Sequence, residues 1–211
     1  IPFAATDDGW EQGQPVYTES MVFASVTGGM VECADGMAGD FPCSDVNMVS
    51  MLSIGDLGGE RGIRTNDIWG WEDPQTGREY ALVGMSNKTS FVDVTDAKNP
   101  VTLGTLPMTE GANSSVWRDI KVYKDHAFIV SEHTNHGVQV FDLTRLRDWT
   151  GEDTTYDVDT RYTQHGSAHN IVINEDTGYA YSVGAAGFSS QPLPNTVTVA
   201  DGAAAGGYLA N

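Results

Sequence analysis

Short apolar runs rich in Val, Ile, Tyr and Phe alternate along the chain with clusters of Gly, Asp, Asn and Pro. No long stretch carries the apolar spacing of an amphipathic helix. The pattern predicts many short strands joined by turns, and hence an all-β protein.

A repeat lies within this pattern. Three segments open alike: NDIWGW from Asn66, RDIKVY from Arg118 and HNIVIN from His169. Aligning Asp67, Asp119 and Asn170 sets the starts about fifty residues apart. Each start places a polar pair ahead of an isoleucine and a β-prone run. A second strand follows each one: EYALVGM (79–85), HAFIVSE (126–132) and GYAYSVG (178–184). The intervening DPQTG, KD and NEDTG are turn chemistry, through Pro's fixed φ and the tolerance of Gly and Asn for positive φ. A third strand follows twice, TSFVDVTD (89–96) and VQVFDLTR (138–145). Both end in Asp-x-Thr, whose side chains bond backbone groups at a strand end. NPVTLGTLPM (99–108) supplies a fourth strand in the first repeat, with Pro100 at a strand-start position where no ladder N–H is needed.

Three or four short antiparallel strands per repeat is the plan of a β-propeller blade. A β-sandwich with coincidental self-similarity and an open β-solenoid are the rival architectures; the repeated order of strand, turn, strand and Asp-x-Thr favours the propeller. About three blades are visible, where closed rings use about four to eight, so the expectation is an incomplete or truncated propeller. Residues 1–60 read as an N-terminal cap segment, in which the apolar VNMVSMLSI (46–54) adds a strand or an irregular cover. Residues 61–184 are the blade repeats, and residues 185–211 a Gly/Ala-rich tail or incomplete blade.

The charge narrows the partners. The 211 residues include 29 acidic and 11 basic side chains, a net charge of −18. Such a surface repels nucleic acid and anionic membranes, and no apolar run is long enough for a transmembrane segment. The acidity is either a solvated face or a set of calcium ligands. The acidic loops 93–99, 152–160 and 174–178 would suit calcium as a cofactor, although none matches an EF-hand. Ile1 in place of Met points to a chain processed, or cut from a longer precursor. Cys33 and Cys43 are the two cysteines, separated by turn-forming residues. They read as a disulfide suited to an oxidising compartment, or as two buried thiols; no C-x-x-C pair or nearby histidine favours a metal.

The strings NDIWGWEDPQTGREYALVG, SFVDVTDAKNPVTLGTLP, WRDIKVYKDHAFIVSE, HGVQVFDLTRLR and AHNIVINEDTGYAYSVG together resemble the choice-of-anchor B family, extracellular bacterial proteins with LVIVD-type propeller repeats. CADGMAGDFPC resembles that family's N-terminal cysteine pair. The resemblance covers about residues 30–184. It implies export and association with a bacterial cell surface. It carries over no catalytic residue, because the family has no established activity. After Gly184 the sequence departs from the family's pattern, which continues into a Gly-rich strand and further blade starts.

In a propeller the innermost strand of each blade lines the channel. Asn66, Asp67, Arg118, Asp119, His169 and Asn170 are therefore channel-lining residues that either hold a ligand or bond neighbouring blades. His133, His136, His165 and His169 are metal-ligand candidates by residue type. Their spacing supports a shared metal only on a helix, which Gly166 argues against. Trp69, Trp71, Trp117, Trp149 and Trp10 are either packing between blades or a sugar platform. Neither a G-x-S-x-G elbow nor a phosphate-binding G-x-x-x-x-G-K-[ST] loop is present. The expected function is a secreted binding or scaffold module with no established catalytic activity. Its partner would be a cell-surface protein, a polysaccharide or a matrix component. A metal-dependent enzyme working at channel His and Asp residues, and a structural subunit that self-associates through strand edges, are the alternatives.

Overall fold

The computed structural model describes residues 23–187 and the backbone of two later strands, Val197–Val199 and Ala203–Leu209. Trp10, the first part of the expected cap and most of the expected tail lie outside the described residues.

The protein is all-β. Residues 23–63 carry one two-stranded hairpin, β1 (Met37–Ala38) with β2 (Phe41–Pro42), closed by a Cys33–Cys43 disulfide with a Cα separation of 5.9 Å. The apolar run 46–54 makes isolated bridges, Val31 with Met48 and Val26 with Met51. It thus acts as an irregular cover. Leu52, Ile54, Leu57 and Ile63 pack on Ala81, Val83, Met85, Val92 and Val94 of the sheet that follows.

That first sheet contains β3 (Thr65–Glu72), β4 (Glu79–Met85), β5 (Lys88–Asp93) and β6 (Val101–Pro107), each antiparallel to the next. The second contains β7 (Arg118–Tyr123), β8 (His126–Ser131) and β9 (Val138–Asp142), again antiparallel neighbours. The Asp-x-Thr ends behave as their chemistry dictates. Asp93 accepts from the Thr95 N–H and Asp142 from the Thr144 N–H, both at 2.9 Å. After Asp142 the chain enters a 3-10 turn, Leu143–Asp148. It then returns through β10 (Thr154–Thr155), which joins the outer edge of the first sheet in parallel with β6. Next comes β11 (Thr160–Tyr162), the outer strand of the second sheet beside β9. The third sheet pairs β12 (Asn170–Asn174) with β13 (Tyr179–Val183). Within 185–211, β14 (Val197–Val199) and β15 (Ala203–Leu209) extend this sheet, β15 lying parallel to β13.

Strand alternation decides how the sheets stack. Tyr80, Leu82, Phe91, Ile120, Ile129 and Phe141 share one apolar core, between the first and second sheets. The opposite faces of β8 and β9 send Phe128, Val130, Val138 and Val140 into another, shared with Ile171, Ile173 and Ala180 of the third sheet. The second sheet is therefore apolar on both faces. Its first strand, β7, lies against β3 on one side and β12 on the other. The described residues form no closed barrel or ring, and none of their helical segments is long and apolar enough to cross a membrane.

Candidate functional site

The starts of β3, β7 and β12 meet at one end of the stacked sheets, and the aligned polar pairs link them. The Ile120 N–H donates to Asp67 Oδ2 at 2.7 Å, and the Ile171 N–H donates to Asp119 Oδ2, also at 2.7 Å. The same bond thus joins the first sheet to the second and the second to the third. Asn66 Oδ1 accepts from the Arg118 N–H at 3.0 Å, adding a parallel link. Local backbone geometry aims the first of these carboxylates. Asp67 sits at φ 61°, in a register shift between Thr65 and Ile68. Gly84 opposite must remain glycine, because a Cβ there would lie 2.3 Å from the Asn66 carbonyl oxygen. Burial, and secondarily the nearby Asp119 carboxylate, raise the Asp67 pKa.

Arg118, next to Asp119, is the one arginine or lysine buried among the described residues, at 3% exposure. Its Nη2 lies 3.5 Å from His136 Nε2. The His136 Nδ1 is 3.0 Å from the Gly137 carbonyl oxygen. A carbonyl only accepts, so Nδ1 carries the proton and Nε2 presents a lone pair to the guanidinium. Burial, reinforced by the Arg118 charge, pushes the His136 pKa down to about 3, so the ring is neutral. His133 is buried too, and burial followed by the same charge lowers its pKa.

His169 and Asn170 face outward. His169 is exposed, pairs with Glu132 through Nδ1, and stands 6.2 Å from the exposed Trp117 ring. Asn170, the third of the aligned positions, is exposed. A shallow polar hollow of about 320 Å³ opens alongside, lined by Asn135, Arg161, Thr163, His165, Gly166 and Gly187. Gly137, just before β9, sits at φ 69°, and a Cβ there would lie 2.2 Å from the Tyr162 carbonyl oxygen. His165 is buried beneath it, with Nε2 3.0 Å from the Ser182 hydroxyl.

The structure therefore brings Asn66, Asp67, Arg118 and Asp119 together as links between sheets. It does not gather His133, His136, His165 and His169 around a shared point. Among the described residues no group of three or more His, Cys, Asp or Glu is arranged to hold a metal ion. The acidic loops are engaged internally: Asp159 bonds Arg145 and the Asp142 N–H, Asp96 bonds Lys98 and Asn99, and Asn174 bonds the Thr177 N–H. Trp71 is buried, stacked on Tyr80, whereas Trp69 and Trp117 are exposed, Trp69 beneath the Lys121 ammonium. Sequence reasoning missed Glu132, Arg161 and Thr163: Arg161 lies in the short strand β11 and the other two just beyond strand ends, where position depends on pairing between distant strands. Compared with protein-family models, with curated proteins and with solved structures, the chain matches none.

Proposed function

We propose that the chain is a sector of a β-propeller and acts outside the cell as a rigid recognition scaffold. The observation that carries this reading is the repeated link from Asp67 to Ile120 and from Asp119 to Ile171. A bond that recurs at equivalent positions between successive two-faced sheets is what radial stacking of blades requires. The resemblance to the choice-of-anchor B family supports the same architecture and a bacterial cell surface as the setting. The Cys33–Cys43 disulfide fits an oxidising compartment.

The recognition face is the end where the strand starts and the β8–β9 turn converge. There a fixed frame holds the exposed Trp117, His169, Glu132 and Arg161. Of the three partner classes, a neutral polysaccharide suits this face best. An exposed indole offers a sugar an apolar surface with polar groups around it, and the net charge of −18 opposes polyanions. Affinity electrophoresis in gels containing a neutral polysaccharide tests the reading. Retardation that falls at least about tenfold in Trp117→Ala, with the variant still folded, is expected for loss of an aromatic hot spot. Equal migration of parent and variant across a panel of neutral polysaccharides would overturn it.

A further inference from the structure

The buried guanidinium of Arg118 has no counter-charge. Its Nε and Nη1 make no hydrogen bond, and Nη2 meets only the neutral His136 ring. The carboxylates at the neighbouring strand ends are committed elsewhere: Asp67 to the Ile120 N–H, Asp119 to the Ile171 N–H and Lys121, and Glu132 to His169. Burial lowers the Arg118 pKa only to about 10, so the group stays charged at neutral pH. A buried charge left unpaired is among the most destabilising features a fold can carry.

Its surroundings are polar in a patterned way. Strand alternation puts Thr89, Arg118, Ser131 and Gln139 on the same inward faces as Phe91, Ile120, Ile129 and Phe141. The apolar core between the first two sheets thus ends in a buried polar layer. Within that layer and beside it, the Thr89 hydroxyl, Gln139 Oε1 and His133 Nε2 also lack partners.

We propose that this layer is a binding site for one small monovalent anion, chloride or a formate-sized carboxylate, held between the two sheets. Arg118 Nε–H donates to it, and the Thr89 hydroxyl adds a neutral donor. His136 holds the guanidinium through Nη2 and stays uncharged. The site serves the joint between the sheets, and it does not depend on the recognition reading above.

The test is thermal unfolding of the purified protein while gluconate, a much bulkier anion, is exchanged for chloride or formate at constant ionic strength. Constant ionic strength removes general screening of the acidic surface. The expected result is a saturable rise of several degrees in the midpoint. The rise is lost in Arg118→Met, which removes the charge but keeps an apolar chain of similar reach, and shifts to higher anion concentration in Thr89→Val. Crystals of the parent protein grown in bromide give a second readout that needs no variant. An anomalous peak at hydrogen-bonding distance from Arg118 Nε supports the site. Identical melting in all three salts, or bromide found only on the outer surface, would overturn it.

Discussion

Asp67 and Asp119 each place one carboxylate oxygen on the amide of the neighbouring sheet's first strand. That use of an acidic residue is visible in the sequence only as an alignment: the polar pair before Ile68, Ile120 and Ile171 recurs, but its partner lies one repeat away. Asp119→Ala leaves the Ile171 N–H unpaired in a buried setting. It is expected to cost about 2 kcal/mol in chemical denaturation, with Asp119→Asn costing less because an amide oxygen still accepts. His136 makes the pH dependence at this scale. Its folded pKa, near 3, lies below the unfolded value of 6.5. The unfolded chain therefore takes up the proton first as pH falls. The stability tied to the neutral ring is complete above about pH 6.5 and declines toward pH 3. At pH 4.5 the loss from this one ring is about 2 to 3 kcal/mol. His136→Gln keeps a donor and an acceptor without a titration, so urea unfolding at the two pH values should show a smaller drop in the variant than in the parent. An equal drop would mean the ring titrates normally.

The elements themselves were largely legible. Of the strands read from alternation, β4 matches its expected span, and β5, β8, β9 and β13 differ by a few residues at their ends. The outer strand of the second sheet was not legible, because two features interrupt it. The 3-10 turn and the excursion through β10 separate β9 from β11 by a stretch that reads as an acidic loop. That excursion is anchored by side chains that no local pattern announces. Arg147 donates to both oxygens of the buried Asp73, Nε at 2.9 Å and Nη2 at 2.6 Å, and so ties the 3-10 turn to the first sheet. The Arg147 guanidinium, foremost among its partners, holds the Asp73 pKa far below the usual carboxylate range. Asp73→Ala removes one member of a part-buried bidentate pair and is expected to destabilise the protein by about 2 kcal/mol. Gly84→Ala forces a Cβ against the Asn66 backbone. It should cost about 1 to 3 kcal/mol by overpacking, whereas Gly70→Ala, where the nearest atom to a Cβ is 4.0 Å away, is expected to lose less.

For the whole molecule, the two-sided second sheet is the informative layer. Both its faces are apolar and both are covered, on one side by the first sheet and on the other by the third. The sequence carries this as strands whose successive residues are all apolar, such as Ala127 to Val130, instead of strictly alternating. The acidic balance was equally plain at this scale, yet its meaning was not. Many of the carboxylates that composition offers to calcium serve as turn and strand-end acceptors. Amide hydrogen exchange resolved to single residues tests the central claim, that successive sheets are equivalent units joined by the same carboxylate-to-amide bond. The Ile120 and Ile171 amides should be protected to a similar, near-global degree, with Asp67→Ala releasing Ile120 alone and Asp119→Ala releasing Ile171 alone. Fast exchange at either amide in the parent protein, or no selective release in the variants, would contradict it.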